Sequence, residues 1–155
     1  MRLTEKQVQD KRHPGKHHSY KMKDLEIVAF AEKEFKTPFK WGVNDCNTLI
    51  LKYLDIVHGH DVLKIALGQY SSRREAIKFQ REYGQTLSEL CISLGYTKIP
   101  PTRARMGDIL IIKKKQFEIG HLCLGIKILS VVEDVITDMA FIPSFHEFDW
   151  GLRIN

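Results

Sequence analysis

The sequence predicts an α+β domain in which N-terminal helices pack on one antiparallel sheet. Helix-capping signals and apolar residues at helical spacing occupy the chain from Asp24 to about Gly95. After Pro100 and Pro101 the pattern changes to short apolar runs and alternation, which are typical of strands. Because the helical and strand patterns follow one another and do not alternate, they favour an α+β arrangement over an α/β one.

Length and composition indicate one soluble globular domain. The 155 residues suit a single domain, and the apolar fraction of 43% and charged fraction of 28% are ordinary for a folded chain. We expect no membrane span, because no apolar run is long enough, and no signal peptide. The three cysteines include no close-spaced pair, which argues against a disulfide framework or a zinc ribbon and favours a cytoplasmic protein.

The positive charge of the chain lies at its N-terminus. Residues 1–23 hold seven Lys or Arg against two acidic residues and so account for the whole net charge of +5. Residues 24–155 hold 17 basic and 17 acidic side chains. We therefore expect a basic N-terminal arm, residues 1–23, followed by a neutral domain, residues 24–155. The arm can bind nucleic acid, but its scarcity of aromatic residues favours a solvated terminus or a segment that docks on a protein.

Four helices are predicted from periodicity and capping signals. The first covers Asp24–Phe35, with its first residue as the cap, and the second begins at Cys46. Capping-box patterns at Ser72–Glu75 and Thr86–Glu89 open the third and fourth helices. In the third helix, Ile77 is expected to belong to the apolar stripe.

The second helix places a cysteine in its first turn. Asn44 and Asp45 precede it as capping candidates, and Gly59 ends it. The unpaired N–H groups and the dipole at a helix N-terminus favour thiolate over thiol, so they can lower the pKa of Cys46 below its usual value of about 8.5. The alternative is that Cys46 is a small core residue, which the local pattern alone favours.

The second half of the chain supplies the strands and a candidate base. Ile109–Ile112 is a buried strand, and Trp150–Ile154 closes the sheet. Between them, alternation puts Leu122 on one face of a strand and His121 and Cys123 on the other. If the His121 face meets the start of the Cys46 helix, imidazole and thiol can form a nucleophile–base pair. A histidine on a solvated strand face is the alternative.

A second group of histidines resembles a metal site only in composition. His58, His60 and Asp61 lie within four residues of one another, at a predicted helix end. No second cluster accompanies them, and the composition favours an exposed turn. We expect no metal and no cofactor.

Three motifs in sequence order resemble a known family. The motifs are F-x-W-G-x-x-D-C (Phe39, Trp41, Gly42, Asp45, Cys46), G-D-I (Gly107, Asp108, Ile109) and a strand running from His to Gly (His121, Gly125). Together they resemble the NlpC-type papain-like cysteine peptidases. The segment Gly59, Asp61, Tyr70, Ser71, Ser72 and Ala76 is similar to one in small, poorly characterised phage and prophage relatives of that superfamily. The resemblance covers roughly residues 25–154.

The resemblance implies a papain-like core with a Cys–His catalytic pair. Cys46 would be the nucleophile, and His121 the general base and then the acid, acting on a peptide or amide substrate. The residue that orients the imidazole would follow from the strand register. A tight hairpin turn after Leu124 puts Ser130 opposite His121, whereas a longer loop puts Asp138 there. The sequence departs from the common D-C-S-G motif, because Asn47 and a threonine follow the cysteine.

Three hypotheses about function follow. The first is a phage-type cysteine hydrolase of the peptidase or amidase class. The second is a catalytically silent papain-like module with a structural or assembly role in a phage particle, with phage structural or host proteins as partners. The third is a binding module that acts through residues 1–23. A phage-encoded chain would be found in the host cytoplasm or in the virion.

Overall fold

A computed structural model describes residues 14–35, 37–115, 117–129, 131, 140–141 and 147–154. The helices are α1 (Pro14–Glu34), α2 (Cys46–His58), α3 (Arg73–Tyr83) and α4 (Leu87–Ser93), with short 3₁₀ turns at Leu63–Ile65 and Pro101–Arg103. None of the helices in the described part of the chain is long and apolar enough to cross a membrane.

Within the described residues, six strands form one sheet. They are β1 (Tyr96–Ile99), β2 (Ile109–Lys113), β3 (Glu118–Cys123), β4 (Lys127–Leu129), β5 (Ala140–Phe141) and β6 (Trp150–Ile154). Their order is β1-β6-β2-β3-β4-β5, and every neighbouring pair is antiparallel. The predicted α+β class, with helices preceding an antiparallel sheet, is therefore confirmed.

Helix α2 is the central helix and is buried along most of its length. It packs against β3 on one side and α1 on another. Its buried residues are Thr48, Leu49, Ile50, Leu51, Tyr53, Leu54 and Val57. Gly59 ends the helix in the left-handed conformation, with φ 74°, which a residue without a Cβ adopts without strain. The predicted bounds of α2 and both of its caps agree with the structure.

Helix α1 begins earlier than the sequence predicts. Its first residue is Pro14, and its last is Glu34. A start at Asp24 is therefore wrong: proline suits the first position of a helix, because its fixed φ is helical and its missing N–H has no helical partner there. The helix runs through the predicted boundary between arm and domain. Lys23, at that boundary, donates from Nζ to the carbonyl oxygen of Val57 at 2.8 Å.

The β3–β4 hairpin turns tightly. Leu122 pairs with Leu129, and the N–H of Leu124 donates to the carbonyl of Lys127 at 2.7 Å. The tight-turn alternative is thus confirmed, and the longer loop is wrong. Ser130 and Asp138, the two candidates for the orienting residue, both lie outside the described residues.

The two faces of the sheet have different surroundings. Leu122, on one face, belongs to the main core with the buried residues of α1, α2 and α4. The other face carries a smaller cluster, consisting of Leu110, Cys123, Ile128 and Phe148. Which of these faces a β3 side chain occupies decides whether it can reach the start of α2.

Candidate functional site

The start of α2 is held by a buried carboxylate. Asp45 is the N-cap, and its side chain accepts hydrogen bonds from the N–H groups of Gly42 (2.8 Å), Asn47 (3.0 Å) and Thr48 (3.0 Å). The Thr48 hydroxyl in turn accepts from the Asp45 N–H at 2.7 Å, which completes a capping box. The carboxylate therefore satisfies N–H groups that a helix start otherwise leaves unpaired.

The loop before α2 requires a glycine. Gly42 has φ 78°, and a Cβ at this position would collide with the carbonyl oxygen of Tyr70. The phenol of Tyr70 is buried and lies against the Asp45 carboxylate, and burial followed by that negative charge raises the pKa of Tyr70. Gly42, Asp45 and Tyr70, all residues of the family-like motifs, thus build the support of the helix start.

Cys46 is the first residue of α2, but its thiol is not activated. Burial raises the pKa of Cys46 to about 12, and the adjacent Asp45 carboxylate adds to the shift. The N–H groups of Asn47 and Cys46 itself oppose the shift but are the smaller effect. The prediction of a lowered pKa is therefore wrong, because desolvation outweighs the helix terminus. Cys46 is a neutral thiol at pH 7.

β3 presents a glycine, not a histidine, to the start of α2. A Cβ built on Gly120 would lie 2.8 Å from Cγ1 of Ile50, 2.7 Å from Cδ2 of Leu87 and 3.5 Å from Oδ1 of Asn47. Since successive side chains of a strand point to opposite faces, His121 lies on the far face. The expected meeting of Cys46 with His121 is not found.

His121 belongs to the smaller cluster. Its ring centroid is 5.1 Å from that of Phe148, and its partner across the β2–β3 pairing is Leu110. Burial lowers the pKa of His121 to about 4, so the imidazole is neutral at pH 7. Its Nδ1 atom is buried and has no hydrogen-bond partner in the described part of the chain. Backbone groups of Leu110 and Ile119 oppose the lowering of the pKa but are the smaller effect. Among the residues described, the ring therefore has no nucleophile to activate.

His58, at the other end of α2, is also separated from Cys46. With a rise of about 1.5 Å per residue, the helix puts about 18 Å between its first and last residues. Nε2 of His58 lies 3.0 Å from the hydroxyl of Tyr53, which donates to the carbonyl of Gly107 at 3.0 Å. Burial lowers the pKa of His58 to about 4. The role of His58 is to complete a polar contact at the edge of the core.

The other members of the histidine-rich turn do not form a metal site. Asp61 is exposed and pairs with Lys64 at 2.8 Å. Within the described ranges, no group of three or more His, Cys, Asp or Glu could hold a metal ion.

Two side-chain amides bind the backbone of β3, a role that the sequence pattern does not predict for either residue. Asn47 donates to the carbonyl of Glu118 at 2.8 Å and accepts from the N–H of Gly120 at 2.9 Å. Gln80 donates to the same Glu118 carbonyl at 3.2 Å and accepts from the Glu118 N–H at 3.1 Å. In the part of the chain that the structure describes, β4 pairs with Leu122 and Cys123 and not with the start of β3, so the two amides take the place of a neighbouring strand there. The departure of Asn47 from the serine of the D-C-S-G motif was the one feature of the sequence that could have indicated this structural role.

The G-D-I motif also has a structural role. Asp108 is buried, and its carboxylate accepts from the Arg105 N–H at 2.9 Å and from Nη2 of Arg153 at 2.7 Å. These contacts hold the turn before β2 to β6. An ion pair with such directed hydrogen bonds fixes the geometry of the strands that it joins.

Comparison with known proteins gives one family and no named relative. The model of the family described as "Domain of unknown function (DUF6950)" matches residues 21–144. No curated protein and no solved structure matches the chain. The family model covers well over half of the sequence, including α2 and β3. The chain therefore belongs to the DUF6950 family of domains of unknown function.

Proposed function

We propose that this chain is a catalytically silent relative of the NlpC-type papain-like cysteine peptidases, which acts as a structural or assembly module. The resemblance to phage and prophage relatives makes a phage particle the assembly that we propose. Such a module keeps the helix-on-sheet core and uses the protein surface for binding, because function depends on the site and not on the fold.

The single observation that supports silence is the alternation of β3. Gly120 faces the start of α2, whereas His121 packs against Phe148 on the other side of the sheet. A general base must come within hydrogen-bonding reach of the proton that it removes, directly or through one water. An imidazole on the opposite face of a packed sheet does not meet this requirement.

The roles of the motif residues give further support. Asp45 caps α2, Asp108 holds Arg153, and Ser72 caps α3 by accepting from the N–H of Glu75 at 3.1 Å. Asn47 occupies the place of a strand partner for β3. Each of these residues therefore has a structural role that requires no reaction.

Hydrolysis by Cys46 is the second candidate. One observation favours it, which is the position of the sulfur at the first residue of α2. The N–H group of Cys46 itself is not among those that Asp45 binds, so it can stabilise a developing oxyanion. It would need a base on the α2 face of the sheet and a thiol with a much lower pKa than the one described.

A pH profile of cysteine alkylation separates the two candidates. The native chain is treated with iodoacetamide across a pH series, and the label on each cysteine is quantified by peptide mass spectrometry, with the denatured chain as reference. For a silent module, alkylation of Cys46 is much slower than in the denatured chain at pH 7 and still rises with pH above 9. His121→Ala leaves the Cys46 profile unchanged.

A plateau of Cys46 alkylation below pH 8 would contradict the proposal if His121→Ala abolished it. That result would mean that the imidazole holds the thiol as a thiolate, as a hydrolase requires.

A further inference from the structure

Helix α3 carries a basic face that points away from the core. Its members line one shallow depression: Arg73, Arg74, Ile77, Lys78 and Arg81. At about 100° per residue, these five positions fall within about 140° around the helix axis. Ala76 is buried and Phe79 packs on the core from the opposite side of the helix. Packing of the domain therefore does not require the α3 basic face.

The concentration of charge on this face is local. Residues 24–155 have no net charge, yet two turns of α3 carry four exposed cationic side chains. Arg74 and Lys78 are four residues apart, a spacing at which like charges repel and destabilise a helix. Glu75 attracts Lys78 and so offsets part of this repulsion, but it does not line the depression, and its carboxylate accepts from the N–H and the hydroxyl of Ser71. A ligand that brings negative charge would relieve the repulsion.

An apolar side chain lies at the centre of this face. The sequence pattern predicts Ile77 in the buried stripe of α3, but the structure puts it, half-buried, among the cations. A surface that binds only phosphates does not need an apolar centre, whereas protein interfaces combine an apolar centre with a polar rim and are enriched in arginine. The guanidinium fork also binds carboxylates through paired hydrogen bonds.

We propose that the α3 basic face docks an acidic protein segment that inserts an apolar side chain beside Ile77. The carboxylates of that segment bind Arg73, Arg74 and Lys78. This inference rests on the proposed role as an assembly module and identifies the surface and the kind of partner through which assembly occurs.

Fluorescence anisotropy with three labelled probes tests this proposal on the full chain. The probes are a short helical peptide of glutamates with leucines at every fourth position, the same peptide with glutamine for leucine, and a short DNA duplex. We expect the leucine-containing peptide to bind most tightly. The double variant Arg74→Glu, Lys78→Glu should weaken its binding at least about tenfold, because two attractions become repulsions.

A matched control keeps the change of net charge the same. Lys114→Glu, Lys115→Glu alters two exposed lysines of the β2–β3 loop and should leave peptide affinity within about twofold. Ile77→Ser should weaken the leucine peptide about threefold or more and leave the glutamine peptide unchanged. Circular dichroism of each variant verifies that the helices remain folded.

Three results would overturn the proposal. Equal weakening by the α3 and loop variants would mean that net charge alone attracts the peptide. Tighter binding of the duplex, lost in the α3 variant, would assign the face to a nucleic-acid phosphate backbone. Absence of peptide binding would remove the docking surface. None of these results changes the alkylation profile of Cys46, so failure here is distinguishable from failure of the proposed silence.

Discussion

The two faces of β3 differ in their packing and in their hydrogen bonding, although the residues on them are neighbours in the sequence. On the α2 face, Gly120 leaves room for Ile50 and Leu87, and the amide of Asn47 completes the backbone hydrogen bonds. On the far face, His121 packs on Phe148, and its Nδ1 has no partner among the described residues. The α2 face is closely fitted and fully bonded at these points. The register of β3 turns the ring of His121 away from the start of α2, even though the residue belongs to a family-like motif.

The largest expected change in the free energy of unfolding comes from replacing Asp45, the N-cap of α2. Asp45→Ala removes the acceptor of three N–H groups in a buried site, so it should lower the free energy of unfolding by about 3 kcal/mol. Urea unfolding followed by circular dichroism measures this change. Asp45→Asn, which keeps one acceptor oxygen, is the control and should cost less. A loss below about 0.5 kcal/mol for Asp45→Ala would show that the cap does not hold α2.

Acidification should lower the stability of the fold because of its two partly buried histidines, His121 and His58. The pKa of His121 and of His58 is about 4 in the folded protein, below the ordinary value of 6.5, so below pH 6.5 the unfolded chain binds more protons than the folded one. Stability contributed by the neutral rings is present above pH 6.5 and falls as the pH drops towards 4. By pH 5 the loss should be on the order of 2 kcal/mol for the ring of His121 and less for that of His58, which is only half-buried.

His121→Leu assigns the part of this acid destabilisation that belongs to the far face. Urea midpoints at pH 7 and pH 4.5 should differ less in the variant than in the unaltered chain. If the variant loses stability on acidification as steeply as the unaltered chain does, His121 is not the buried neutral ring described above.

A smaller loss is expected where Asn47 replaces a strand. Asn47→Ala leaves the Glu118 carbonyl and the Gly120 N–H with fewer partners, so it should cost about 1–2 kcal/mol in urea unfolding. The control is Asn44→Ala, in the loop that precedes α2. The side chain of Asn44 donates to the carbonyls of Thr37 and Pro38, and none of these hydrogen bonds involves β3. Faster amide exchange at Gly120 should occur only in the Asn47 variant, and equal exchange in both would contradict the role given to Asn47.

The smallest effect is expected at His121 itself at neutral pH. His121→Leu removes a buried nitrogen that has no partner among the described residues and keeps a side chain of similar size, so stability at pH 7 should change by less than about 1 kcal/mol, towards higher stability. Differential scanning calorimetry at pH 7 can detect this change. A marked loss of stability would indicate a hydrogen bond at Nδ1 and a more structured far face than the one described.

Local signals in the sequence were sufficient for much of the fold. The periodicity and caps of α2 follow from Asp45 and Gly59, which act within one turn of the helix, and the tight hairpin follows from residues close together in the chain. The start of α1 was not predicted at Pro14, because proline usually interrupts a helix. At the first position of a helix, however, proline is favourable.

The site could not be predicted because it depends on tertiary contacts. Alternation separates His121 from Leu122 but does not say which face a helix covers. The pKa of Cys46 depends on its burial in the folded domain, and this effect exceeds the local effect of the helix terminus. The outward position of Ile77 likewise depends on which side of α3 meets the core.

The most direct test of the separation of the two side chains is an NMR titration of the His121 imidazole in the unaltered chain and in Cys46→Ala. We expect an apparent pKa near 4 that is the same in both proteins, because the ring is buried away from the thiol. A pKa above 6.5 that falls when Cys46 is replaced would contradict the account, because only a thiolate beside the ring would raise the pKa in this way.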